Sequence, residues 1–457
     1  MHVRECTAVL VGKNASATGH PIFCHIEDNG INDAVLLVYF PRNENSIRQS
    51  KVLSAEIPQS TATFAYWAIL LAPGTPMSKE AMKEAPYSPW VLCGMNEYGV
   101  SIGAHGVFSK NPIRSKDEKG LSFFDVNRLV LERSKNAKEA VNLIGRLVEE
   151  YGQIGMGTNN AYCIGGPDSC WIVEVAGRIW VAKSCPSDGI IAYANQYIIE
   201  SEWDLASSQM VEYAIKQKWY DPTMERFNFR VAYGKDLDTP YNSLREHRIK
   251  SLLEPKIGSI TIQDVIRVTR DHFEDTEYAC YSTIDKLSSS LPYQYDPHKS
   301  PYRTICIPRT QASIVCSLRS NMPPEIGNLM WVCLSSPCTS VYLPIYAGSC
   351  EVPKEYTYGR GRYSPNSAWW VFDELQRLVD DKVIDRIFVR DVWDRFEKEE
   401  FKEQKDFEKT VMRIYRKDPV SAKKLISRYT YLNLSHALGI ARILVYGAFS
   451  LAQKFRI

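Results

Sequence analysis

No charge of either sign dominates this sequence. Lys and Arg number 55 against 53 Asp and Glu, a formal net charge of +2 over 457 residues. A surface so balanced gives no electrostatic footing for nucleic acid or an anionic membrane, so neither is expected as a partner. No segment reads as a membrane span: the tail HALGIARILVYGAFSLAQ comes nearest, and Arg442 interrupts it, which suits a packed helix better. The first apolar run, TAVLV, is too short for the core of a signal peptide. Internal repeats and low-complexity linkers are missing. So is any CxxC pair among the 12 cysteines, and a chain 45% hydrophobic has no need of a disulfide frame. Most of these cysteines are therefore expected as buried thiols in a reducing compartment, and the expected location is cytoplasmic.

What is present is a series of short strands with helices between them. CTAVLVG and PIFCHIE read as strands joined by the turn KNASATGH. Pairing them as a hairpin with its centre near residues 16 to 17 sets residues 27 and 28 opposite Cys6. WVLCGMNEYGVSIGAHGVF reads as strand, turn, strand. Two helices are expected next, over LSFFDVNRLVLERS and NAKEAVNLIGRLVEEYG, the second with Asn136 as N-cap and Gly152 as stop. NAYCIGG, CWIVEVAG, RIWVAKS and GIIAYAN follow as four strands of an antiparallel meander. TIQDVIRVTRDHF opens with Thr261 three residues before Asp264, the pattern of a helix cap. Strands, a helix pair and strands again predict layered α/β packing with antiparallel sheets. From about Trp369 the chain turns helical, and the charged run DRFEKEEFKEQKDFEKTVMRIYRK is expected to be a solvated helix face.

Cys6 stands at the head of the first strand, behind five residues with no pattern of their own. If those five are removed, Cys6 carries a free α-amine, whose ordinary pKa of roughly 8 suits a base near neutrality. A thiol used as a nucleophile needs such a base, a carboxylate to hold the amine, and donors for an oxyanion. Asp28 lies in hairpin reach, and Asn195 ends the strand IIAYAN with an amide to donate. The other reading is a buried thiol and a turn residue. A Cys6–His25 pair is a further route to activation that needs no removal of residues 1–5. A metal cluster drawn from His2, Cys6, His20, Cys24 and His25 is disfavoured, because neighbours on a strand point to opposite faces; no metal and no cofactor is expected. Arg309 in PRTQ suits a structural ion pair or a contact to a substrate carboxylate.

CTAVLVGKNAS followed by EDNG resembles the start of the cysteine dipeptidase family of the N-terminal-nucleophile hydrolases, which includes the secernins. The likeness continues in order through GMNEYGVSI, DVNRLVLERSKNAKEAVNLIGRLVEEYGQ, WIVEVAGRIWVAKSCPSDGIIAYANQ, YNSLREHRIKSLLEP, RTQASIVCSLRS, WVCLSSPCTSVYLPIYAG and SAWWVF. It implies an α+β fold, a four-layer αββα sandwich of antiparallel sheets over residues 6–372, with residues 1–5 a leader to be removed; beyond the reach of the likeness, the composition makes residues 373–457 a charged helical extension. It implies hydrolysis of small peptides, chiefly dipeptides, through an acyl-enzyme. Carried over by position, Cys6 is the nucleophile, Asp28 orients its amine, Asn195 donates to the oxyanion, and Arg245 is the nearby cation, with Arg248 the second choice. Two positions depart from the family's pattern. His25 and Ile26 stand where relatives have Arg-Asn or Lys-Asn, and Ala104 and His105 where they have Asn-Glu. His25 and His105 are thus the candidate substrate-binding residues. An amidase acting on N-acyl amino acids and a non-catalytic binding protein on the same scaffold are the alternatives. Homo-oligomer formation is left open.

Overall fold

The structure is a computed structural model that describes residues 5–455 apart from 45–49, 53–54, 59, 85–88, 112–119, 155–157, 224–225 and 281–295. Residues 1–4 of the expected leader, with His2, lie outside the described residues. The chain builds two large antiparallel sheets. In the six-stranded sheet the order is Ile190–Tyr193, Thr7–Val11, Ile22–Asp28, Thr310–Leu318, Asn328–Leu334 and Leu343–Tyr346. In the eight-stranded sheet it is Leu205–Ala206, Ile179–Ser184, Cys170–Ala176, Asn159–Gly165, Ser101–Val107, Val91–Asn96, Tyr66–Leu71 and Val35–Phe40.

Side-chain alternation on the first strands explains the layering. Ala8, Leu10 and Phe23 enter the core between the sheets. Val9, Val11, Ile22, Cys24 and Ile26 enter a second core on the opposite face, against Ile249, Leu253, Val265 and Ile266 of the helices Pro240–Leu253 and Ile262–Thr269. The helices Phe123–Arg133 and Ala137–Tyr151 cover the outer face of the larger sheet. The result is the αββα order of layers. The sheets approach so closely that a Cβ on Gly103 would meet the His25 ring at 2.3 Å, and one on Gly165 would meet Phe23 at 2.6 Å.

The helix signals are realised at their predicted places. Asn136 accepts from the Glu139 N–H, and Gly152 ends the helix at φ 73°, a left-handed conformation that glycine adopts without strain. Thr261 and Asp264 form a reciprocal capping box. The meander differs from its prediction. Its first three strands lie side by side in the larger sheet, but the fourth, Ile190–Tyr193, crosses to the smaller sheet and pairs with Thr7–Val11. The turn at Pro186–Gly189 makes the crossing: Gly12 and Asn14 donate to its carbonyls, binding it to the end of the first strand. This exchange of sheets carries Asn195 to the Cys6 end of the molecule.

Residue 373, the expected start of the extension, lies inside the helix Ala368–Asp380. Beyond it run the helices Arg386–Tyr415 and Pro419–Phe455. The charged run is largely solvated, as predicted, but it also buries Glu397, Glu400 and Val411, and the same helix buries Val389 and Trp393 ahead of it. Glu397 pairs with Arg270 and accepts the Tyr342 N–H at 2.8 Å, so its charge is matched inside the protein. Among the described residues no helix is long and apolar enough to cross a membrane.

Candidate active site

Cys6 is fully buried one residue ahead of the first strand. The hairpin register sets Thr7 against Ile26 and Ala8 against His25. Continued by one step, it sets Cys6 against Glu27, and the Glu5 N–H donates to the Asp28 carbonyl at 3.3 Å. Alternation places Cys6, His25 and Glu27 on the inter-sheet side. The Cys6 sulfur, a His25 ring nitrogen and a Glu27 carboxylate oxygen lie within 4.8 Å of one another, so these donors could also hold an ion. His25 Nε2 bonds to Glu27 at 2.9 Å, and Asn29 donates to the other Glu27 oxygen at 2.8 Å. The His105 ring stands edge-on to His25 at 4.9 Å, and Tyr193 edge-on to His105 at 5.0 Å.

A second group grips the Glu5–Cys6 peptide. Arg245, on the helix Pro240–Leu253, donates through Nη1 to the carbonyls of Glu5 and Cys6, both at 3.0 Å, and to Thr7 Oγ1 at 2.9 Å. Its Nη2 donates to Asn195 Oδ1 at 3.0 Å and Asn242 Oδ1 at 2.9 Å. Arg303 Nη2 donates to the same Glu5 carbonyl and to the Asp28 carboxylate, which also accepts from Thr310. Burial pushes the Asp28 carboxyl up, and Arg303 and Thr310 oppose the rise. Burial, with Arg303 nearby, draws Arg245 down to about 10, which leaves it charged at neutral pH. The Glu5 side chain is held in turn: its carboxylate meets Arg309 Nη2 and lies 3.2 Å from Arg303 Nε. A hollow lined by Gly30, Asn32, Arg309, Thr310, Gln311 and Trp369 opens beside this end of the site.

A family model described as peptidase family C69 matches residues 5–392. The chain belongs to peptidase family C69. It is a cysteine-type peptidase with peptide substrates. A probable dipeptidase from Latilactobacillus sakei is 25% identical over 413 residues, 83% of this chain and 82% of that one. Dipeptidase A from Lactobacillus helveticus is 24% identical over 413 residues, 83% of each. Among solved structures, penicillin V acylase from Agrobacterium tumefaciens aligns with 75% of this chain and 86% of its own at TM-score 0.41 and 14% identity, a loose likeness.

The C69 peptidase gathers Cys6, Asp28, Asn195 and Arg245 at one end of the small sheet, with His25 and His105 in the adjoining inter-sheet space. The Asn195 amide was expected to face an oxyanion. Here its Nδ2 donates to the Gly106 carbonyl at 3.0 Å and its oxygen braces Arg245. Arg248 is elsewhere: it makes a two-pronged pair with Asp271. Arg309 does hold a carboxylate, that of Glu5. Cys24 belongs to the helix-side core and His20 lies near Arg319, so the metal set drawn through them is not assembled among the described residues. Sequence reasoning missed Glu27, Arg303, Thr310 and Asn242. Glu27 had a signal, since a residue two along a strand from His25 shares its face. Arg303 had none, because its partner Asp28 is 275 residues away.

Proposed function

We propose that this peptidase is a dipeptidase made active by cleavage of its own Glu5–Cys6 bond, after which Cys6 is the nucleophile and its freed α-amine the base. One observation carries the reading: the Glu5 carbonyl accepts from Arg245 and Arg303 together, next to a buried thiol. Two cationic donors on one carbonyl are what a developing oxyanion needs. A cysteine thiol reaches the carbonyl carbon before it through a five-membered ring. At this stage the α-amine is locked in the peptide bond, so another group must take the thiol proton, and the His25–Glu27 pair supplies it. The thiolate forms the C–S bond. The C–N bond breaks, and the proton passes to the Cys6 nitrogen. Water then hydrolyses the thioester and frees the preceding segment with a carboxylate on Glu5.

The new amine lies one register step from Asp28, which positions it, and Asn195 holds the Arg245 fork in place. A dipeptide then takes the place of the segment. Cys6 attacks its peptide carbonyl, the C-terminal residue leaves as an amine, and water releases the acyl group. Glu5 also indicates the substrate class. It is the acyl residue of the first bond cut, and its side chain rests on Arg303 and Arg309. Dipeptides with an acidic N-terminal residue fit that place.

The test is in two steps. Intact mass should show a chain that begins at Cys6. On a dipeptide panel Glu-Xaa should exceed Gln-Xaa in kcat/KM by about 10- to 100-fold, the worth of a charge-assisted hydrogen bond. Full turnover by a chain that keeps Glu5 would sink the processing step. Equal turnover of Glu-Xaa and Gln-Xaa would sink the acidic preference alone. Preference for N-acyl amino acids over free-amine dipeptides would make the protein an amidase.

A further inference from the structure

A second cluster of cysteine and histidine lies apart from Cys6. His272 and Cys306 are brought together where Cys306 N–H donates to the Asp271 carbonyl at 3.0 Å. His298 comes from the short turn Pro297–Lys299, and Cys338 from the loop that follows the Asn328–Leu334 strand. One ring nitrogen from each histidine and the two sulfurs all lie within 4.8 Å of one another. His298 Nε2 is 3.3 Å from Cys338 Sγ. The side chains of His272 and His298 are 3% and 4% exposed, so neither imidazole has bulk water as its partner.

The outer contacts orient these groups as ligands. His298 Nδ1 meets the Asp380 carboxylate at 2.7 Å, and His272 Nδ1 meets Glu274 at 3.0 Å. A carboxylate behind each Nδ1 fixes the tautomer and turns Nε2 toward the sulfurs, the outer arrangement that metal-bound histidines adopt. Arg386 Nη1 donates to Cys338 Sγ at 3.1 Å, which suits a thiolate. A hollow lined by Glu274, Pro297, Cys338 and Arg386, among others, gives the cluster an entry path from solvent. Ligand identity, number, outer shell and access are the checks for a metal site, and this cluster meets each.

We propose that His272, His298, Cys306 and Cys338 bind one structural zinc ion. Two thiolates and two imidazoles favour tetrahedral zinc, and four protein ligands leave no open position for substrate or water. The ion ties the segment that carries Arg303, three residues before Cys306, to the Cys338 loop and, through Asp380 and Arg386, to the C-terminal helices. It thereby holds the Arg303 that reaches Asp28 and Glu5.

Metal content of the purified full-length protein, measured under reducing conditions and after titration with zinc chloride alone, tests this. The expected result is about one zinc per chain that survives gel filtration. Cobalt in its place should give a thiolate-to-metal charge-transfer band. The band should persist in Cys6→Ala and disappear in Cys306→Ser and Cys338→Ser. Asp380→Asn, which keeps an acceptor behind His298, should weaken zinc binding about 10- to 100-fold. A wild-type chain that takes up no zinc would overturn the proposal, and this arm needs no variant to fold. So would a Cys306–Cys338 disulfide that forms under the same reducing conditions, or a cobalt band that depends on Cys6 rather than Cys338.

Discussion

Among the described residues the protein holds two cysteine–histidine clusters built from the same residue types, and they are wired in opposite ways. At Cys6 the carboxylate of Glu27 sits within the donor set, and there is one thiol beside a peptide carbonyl gripped by two guanidinium groups. At Cys338 the carboxylates of Glu274 and Asp380 stand behind the imidazoles, and there are two thiols. In the first arrangement the imidazole–carboxylate pair can accept a proton from sulfur and pass it on. In the second the imidazoles are held as fixed donors, and the thiols fill out a coordination sphere. The positions of the carboxylates, more than the presence of Cys and His, separate chemistry from ligation.

The most forceful way to break this contrast is to exchange the thiols' fates. Cys6→Ala should lose dipeptide turnover by about four orders of magnitude or more, as nucleophile deletions do, and should keep the Glu5–Cys6 bond whole in the intact mass. It should retain its zinc. Cys338→Ser should lose the zinc and still show turnover above the Cys6→Ala blank. If Cys338→Ser proved as inert as Cys6→Ala while still folded by circular dichroism, the division of labour would be wrong.

Next in size is the guanidinium pair. Arg303→Met removes one of two donors on the Glu5 carbonyl. Loss of one oxyanion donor costs about 10²- to 10³-fold in rate. The time course of Glu5–Cys6 cleavage, followed by mass spectrometry, should slow by that factor. Arg248→Met should not slow it, since Arg248 is committed to Asp271. Equal rates for the Arg303 variant and wild type would reduce Arg303 to a partner of Asp28.

How much of this could be read from the sequence follows from the range of the contacts. The first hairpin was legible: its predicted register centre agrees with the observed pairs Thr7–Ile26 and Ala8–His25. So were the caps at Asn136 and Thr261, which act over three residues. The fourth meander strand was misplaced because a turn says that the chain reverses but not which sheet it joins. Arg303 escaped notice because nothing local marks it, and its place depends on a partner 275 residues away. The zinc cluster was missed for the same reason. Its four residues have no close pair in sequence, and only the packing of the loops after residue 270 and after the Asn328–Leu334 strand brings them together.

A smaller effect is expected where Glu5 rests on Arg309. Arg309 is about one-third exposed, with its side chain at 34%, so water screens part of its interaction. Arg309→Ala should cut the preference for Glu-Xaa over Gln-Xaa about tenfold and leave turnover of Gln-Xaa near the wild-type rate. Zinc content should not change. A variant that lost both substrates equally would show that Arg309 supports the site as a whole and does not select the acidic side chain.

The smallest effect is the most local. Gly103 faces His25 across the gap between the sheets, and an added Cβ would come within 2.3 Å of Nδ1 and 2.4 Å of Cγ. The ring cannot retreat freely, because Glu27 holds Nε2 and His105 packs against its face. Gly103→Ala should therefore cost roughly 1 to 3 kcal/mol of stability, the usual penalty of overpacking a tight core. It should also slow Glu5–Cys6 cleavage by displacing the imidazole from the thiol. The zinc cluster should be unaffected. Thermal unfolding together with the cleavage time course distinguishes the outcomes. A lower melting temperature with an unchanged cleavage rate would mean that Glu27, not His25, takes the proton from Cys6. A wild-type melting temperature would mean that the two sheets have room to part at this point, and that close packing does not hold His25 in place.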